Sequence, residues 1–109
     1  MGADIYFENG EYFRDSYNSS CLAWVIKESY WAASDMNTEG KNAFMKKLAN
    51  ITDKQIKKYV EKKIRRELAE RETNESVDEY IAWFKEKRNF LKALDEKGEL
   101  KIDEDGWSV

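Results

Sequence analysis

Few residues in this sequence have the type and spacing for covalent chemistry. It contains no histidine, which removes the usual general base near neutral pH and the usual imidazole metal ligand. The single cysteine, Cys21, excludes an intrachain disulfide and every multi-cysteine metal site. Cys21 falls at an expected helix N-terminus, where the dipole favours a thiolate, but no base is there to activate it. The apolar run around it points instead to a small core residue. The glycines, at 2, 10, 40, 98 and 106, are isolated, so there is no phosphate-cradling loop. Carboxylates are plentiful, yet no spacing singles out two that a cleft would hold for hydrolysis. Asp4 is the odd one, because it interrupts an apolar strand; Arg14 is its expected partner across Asn9-Gly10, and an ordinary ion pair is the favoured reading. A small-molecule or hydrolytic site between Asp4/Arg14 and the loop at 37–40 is the weakest of three functional expectations. The sequence therefore reads as non-enzymatic, with no cofactor and no metal site.

Binding chemistry is better represented. The chain carries 15 aromatics, four of them tryptophan, which argues against disorder despite 38% charged residues. Tyr12, Tyr17, Trp24, Tyr30 and Trp31 crowd the first third. Most are expected in the core, with an exposed subset serving as interface anchors. Tyr12, Arg14, Trp31 and Asn37 are the candidate partner-binding residues.

Charge is segregated along the chain. Residues 1–40 carry a net −5, residues 41–66 a net +8 and residues 67–109 a net −6, which together give −3. In the basic middle, Lys54, Lys58, Lys62 and Arg65 follow one helical ridge, with Arg66 beside them. These five residues form a candidate nucleic-acid contact. A solvated helix face that pairs with its own acids, as in Glu61–Arg65 and Glu67–Arg71, is the favoured reading of the same pattern.

The elements that must position these groups can be read from periodicity. Ala3–Phe7 is an apolar strand, Asn9-Gly10 a hairpin turn, and Tyr12-Phe13 a second strand or the lead into a helix. Ser19 or Ser20 is expected to cap a nearly all-apolar central helix over 21–33. A loop over 34–42 and a short helix over 43–49 follow. Thr52 with Gln55 makes a capping box opening a helix over 53–72, whose narrow stripe of Ile56, Tyr59, Val60, Ile64 and Leu68 could also form a homodimer seam. Ser76 with Glu79 opens a last helix, closed by Gly98. Leu100–Ile102 is expected to pair with the N-terminal strand, and Asp105-Gly106 to turn. The fold class is mainly α (α+β): about four helices, with a small sheet of N-terminal and C-terminal strands, in a single domain over 1–109.

No basic and apolar leader opens the sequence, and its longest apolar run, Cys21–Ile26, is too short to span a bilayer. A cytoplasmic protein without membrane attachment is expected. The opening Met-Gly-x-Asp-x-Tyr, followed by Gly-Glu-Tyr-Phe-Arg at Gly10–Arg14, resembles small phage and bacterial proteins that carry no established activity. The resemblance covers mainly residues 1–14 and implies a phage or prophage setting. Small proteins of that setting often bind and inhibit a host protein, so the leading expectation is a non-catalytic interaction module directed at a host defence protein. The alternative is a nucleic-acid contact through the helix over 53–72.

Overall fold

The computed structural model describes residues 2–17, 20–71 and 76–109. Strands β1 (Gly2–Phe7) and β2 (Tyr12–Ser16) form an antiparallel hairpin. Its turn works as the sequence suggests: Asn9 accepts the Glu11 N–H at 2.9 Å, and Gly10 takes the left-handed φ of 89°. The C-terminal strand β3 (Ile102–Ser108) pairs antiparallel with β1, giving the order β2-β1-β3.

β3 differs from the expected short strand followed by a turn. It runs through Asp105-Gly106, and the register slips between Ile5 and Phe7, where Ile5 faces Trp107 but Phe7 faces Ile102. A bulge absorbs the extra residues. Gly106 is needed for close approach rather than for turning: a Cβ there would lie 2.6 Å from the Tyr6 carbonyl oxygen.

The expected helix over 21–33 is broken. Leu22–Ile26 forms a 3-10 turn, Lys27 adopts φ 58° and ψ 36°, and α1 (Tyr30–Ser34) starts afresh from Ser29, whose hydroxyl accepts the Trp31 N–H at 3.1 Å. Two causes act together. β-Branched Val25-Ile26 weakens the helix locally, and a distant carboxylate, Asp15, takes the Leu22 and Ala23 N–H groups. That carboxylate also does the capping expected of a serine; Ser20 does not cap, and Ser19 lies outside the described residues.

Helix α2 (Thr38–Ala49) begins earlier than expected, because Asn37 caps it by accepting the Gly40 N–H at 2.8 Å. The next rod is α3 (Asp53–Tyr59), a π turn (Val60–Ile64) and α4 (Arg65–Arg71) in direct succession. It opens with the expected Thr52/Gln55 capping box. Helix α5 (Val77–Glu96) opens with the Ser76/Glu79 box. It closes in a Schellman pattern: Glu99 N–H to Leu94 C=O at 2.9 Å, Gly98 N–H to Asp95 C=O at 3.0 Å, and Gly98 at φ 70°. Counting the α3–α4 rod as one, the described residues form four helices flanking a three-stranded sheet built from both terminal segments.

The core lies between the inner face of the sheet and these helices. Ile5, Leu22, Met45, Leu48, Ile56, Val60, Ile64, Phe84 and Leu91 are completely buried. Of the apolar stripe on the rod, Ile56, Val60 and Ile64 are buried within the chain, while Tyr59 and Leu68 are half-buried against the core. Trp107 ties β3 to α1 by donating to the Ser34 hydroxyl at 2.8 Å, and packs edge-on against Phe44. Arg88 joins α5 to the α2–α3 junction, donating to the Ile51 carbonyl at 2.7 Å and to the Asp53 carboxylate. No helix among the described residues is long and apolar enough to cross a membrane.

Candidate binding grooves

The most elaborate polar arrangement is one that sequence reasoning missed. Asp15, on the inward face of β2, is completely buried. It accepts the Leu22 N–H at 2.9 and 3.0 Å, the Ala23 N–H at 3.4 Å, the Tyr30 hydroxyl, the Cys21 thiol at 3.7 Å and the Lys87 ammonium at 2.9 Å. Lys87 also donates to the Ser20 carbonyl at 2.6 Å. Buried charge is tolerable only with this degree of pairing. Strict alternation from Phe13 already points Asp15 inward, and that was the available signal. The knot also decides the fate of Cys21: burial first, and then the Asp15 charge, push its thiol up to about 12.

On the opposite face of the hairpin, Asp4 accepts from the Arg14 guanidinium at 2.9 Å and from the Tyr12 hydroxyl. The expected Asp4–Arg14 partnership is present, at directly opposed positions. Tyr6 packs on Tyr12 with ring centres 4.8 Å apart. The Tyr12 hydrogen bond, followed by Arg14, holds the Asp4 carboxyl below the usual carboxylate range, and the same bond raises the Tyr12 hydroxyl.

Beside this cluster, β2 forms an edge of the sheet. Phe7 N–H donates to the Glu11 carbonyl at 2.9 Å, so Phe13 and Asp15 bond to β1 and the N–H and C=O groups of Tyr12 and Arg14 face away from it. Between that edge and α5 runs a groove of about 380 Å³ lined by Tyr12, Phe13, Arg14, Ser20, Trp83, Glu86, Lys87 and Phe90. Phe13 and Phe90 stack at 6.0 Å, while Trp83, braced edge-on by Tyr80 at 4.9 Å, is 39% exposed.

Tyr12 and Arg14 thus share one groove, but Trp31 and Asn37 do not line it. Trp31 is 61% exposed and packs on Tyr17, and Asn37 is committed to its cap. Of the five aromatics of the first third, Tyr12, Trp24 and Trp31 are exposed and only Tyr30 is buried, contrary to the expected balance. The break at Lys27 separates Trp24 from Trp31, so no single helix face buries both, while Tyr12 lies on the outward face of β2. The expected site between Asp4/Arg14 and a loop at 37–40 loses its loop, since these residues cap and begin α2.

On the basic rod, Lys54, Lys58, Lys62, Arg65 and Arg66 are all exposed. Lys58 and Lys62 line a second groove, of about 390 Å³, with Val25, Lys27, Gln55, Tyr59 and Lys63. Lys54, Arg65 and Arg66 lie outside its lining. No ion pair joins Glu61 to Arg65 among the described residues: the π turn displaces the i, i+4 spacing that an α-helix would give. For the expected Glu67–Arg71 pair, the Arg71 side chain lies outside the described residues. No cluster of three or more potential metal-binding Asp, Glu or Cys side chains occurs among the described residues. No protein-family model, curated protein or solved structure matches this chain.

Proposed function

We propose that this chain is a protein-interaction module that captures an extended segment of a partner protein along the free edge of β2. The observation that carries this reading is the outward-facing backbone of Tyr12 and Arg14, set beside an aromatic-floored groove. An extended peptide offers donors and acceptors at every second residue, about 6.8 Å apart, which matches the outward repeat of an edge strand. Trp83 and Phe90 supply the apolar contact beneath it. Arg14 and Lys87 line the groove already paired with Asp4 and Asp15, and Glu86 lines it too, so the groove carries no excess positive charge for a polyanion. The Asp4–Tyr12–Arg14 cluster holds the edge straight from the other face. The resemblance carried by residues 1–14 extends the proposal to a partner in host defence, inhibited by occupation of its own strand segment.

The test is affinity capture from host lysate with the wild type and with Trp83→Ala, followed by hydrogen exchange on the captured complex. The Tyr12 and Arg14 amides are expected to slow on binding. Loss of a central aromatic anchor of about 2 kcal/mol weakens capture roughly 30-fold. Equal capture by Trp83→Ala, or unchanged exchange at Tyr12 and Arg14, refutes the reading. So does a concentration-dependent homodimer that protects the same two amides, because a second copy would then own the edge.

A further inference from the structure

The groove on the basic rod is a distinct site on other elements. Four lysines, Lys27, Lys58, Lys62 and Lys63, line it, and none of the lining residues is acidic. Among the described residues none of these four side chains makes an ion pair. Of the acids nearest in sequence, Glu28 pairs with Lys47 at 3.6 Å and Asp53 with Arg88 and Lys85, while Glu61, beside Lys62 on the rod, is exposed and does not line the groove. Gln55 spends its side-chain oxygen on the Thr52 N–H at 2.8 Å, so what it brings to the groove is an amide N–H donor.

Two departures from regular backbone build this cluster. Lys27 holds a left-handed conformation, φ 58°, at a helix-ending position that glycine ordinarily fills. The π turn, marked by the Arg65 N–H bonding back to the Val60 carbonyl, widens the rod at Val60–Ile64. In a continuous α-helix Lys58 and Lys62 share a face and Lys63 turns away by about 100°. The wider turn lets Lys63 line the groove with them. Both irregularities thus set positive charge around one concavity, where like charges repel. Strain gathered at such a place points to a ligand.

We propose that this groove binds the phosphodiester backbone of a single-stranded nucleic acid. The cations lining the groove are all lysines, compact point charges suited to phosphate oxygens. Val25 and the Tyr59 ring provide an apolar floor between the cations, as in single-strand channels. The strip continues past the groove through exposed Lys54, Lys57, Arg65 and Arg66. From 54 to 66 it covers roughly 18 Å, longer than one phosphate and suited to a chain of them. The site extends the basic-helix expectation by adding Lys27 and Lys63 from outside the original ridge.

The experiment is fluorescence anisotropy with a labelled oligothymidylate of about 20 nucleotides, titrated between about 50 and about 200 mM salt. Four phosphate contacts give a log–log slope near −2.8, so affinity falls about 50-fold across that range. Lys58→Gln with Lys62→Gln shallows the slope by about 1.4, and Lys27→Gly by about 0.7. Lys27→Gly also relieves the left-handed strain, so its loss of binding comes with an unchanged or raised melting temperature and cannot be attributed to unfolding. Lys101→Gln, outside the groove, leaves the slope alone. The proposal is overturned by absence of saturable binding at low salt, or by a slope that the groove variants do not change. Tighter binding of a duplex of the same length, or competition by polyglutamate equal to that by the oligonucleotide, overturns it as well.

Discussion

Replacing Asp15 by asparagine tests the central physical claim about this fold. The substitution keeps the shape and removes the charge. Both oxygens of Asp15 face donors: one meets Leu22 N–H and the Lys87 ammonium, the other Leu22 and Ala23 N–H, the Tyr30 hydroxyl and the Cys21 thiol. Whichever oxygen becomes an amide nitrogen, a donor is set against donors, and Lys87 loses its buried counter-charge. Breaking such a pair costs about 3–5 kcal/mol. A chain of 109 residues unfolds with an entropy near 0.23 kcal/mol/K, so each kcal/mol moves the melting temperature by about 4 °C. Asp15→Asn is therefore expected to melt about 12–20 °C below the wild type. Circular dichroism gives the melt, urea titration followed by tryptophan fluorescence gives the free energy, and hydrogen exchange should quicken at Leu22 and Ala23. Lys87→Met is the second arm: the double variant should lose at least about 1 kcal/mol less than the sum of the single variants. A drop of under about 4 °C for Asp15→Asn would mean that the knot is decoration and that the 3-10 turn is held by something else.

Three further outcomes follow from the same geometry. With its thiol raised from 9.0 to about 12, Cys21 carries roughly a thousandth of the ordinary thiolate at pH 8, so thiol reagents should modify it only as fast as the protein opens; prompt labelling of the native state contradicts this. Gly106→Ala drives a Cβ into the Tyr6 carbonyl and should cost about 1–3 kcal/mol, with exchange quickened across β1 and β3; an unchanged melt rules out the close approach. Asp4 and Asp53 have carboxyls depressed below 3.8, chiefly by the hydrogen bonds from Tyr12 and from Arg88 respectively. Depressed carboxyls contribute stability above the unfolded value that is lost as pH falls through the lower folded one, so stability should decline on acidification below about pH 4. Asp53→Asn should flatten that decline, and an identical acid profile argues against the Arg88 linkage.

What was legible locally was what local rules govern. The Asn9-Gly10 hairpin, both capping boxes, the Gly98 stop and the buried stripe of the rod depend on residues near one another or on simple periodicity, and alternation marked both terminal segments as strands able to pair. The Asp4–Arg14 pair was legible because strand alternation and a tight turn set both on one face. Where local pattern misled, a tertiary partner had intervened. A carboxylate from β2 broke the apolar run over 21–33, the close approach of Tyr6 explained a glycine that read as a turn, and a single asparagine cap lengthened α2 backwards through residues that read as a loop. The two grooves lie at this second level. Tyr12, Arg14, Lys58 and Lys62 could be named from type and spacing, but Trp83, Lys27 and Lys63 join them only through the packing of α5 beside β2 and through a π turn that no propensity announces. Periodicity reports which face of an element is buried; which distant groups share a concavity is decided by how the elements meet.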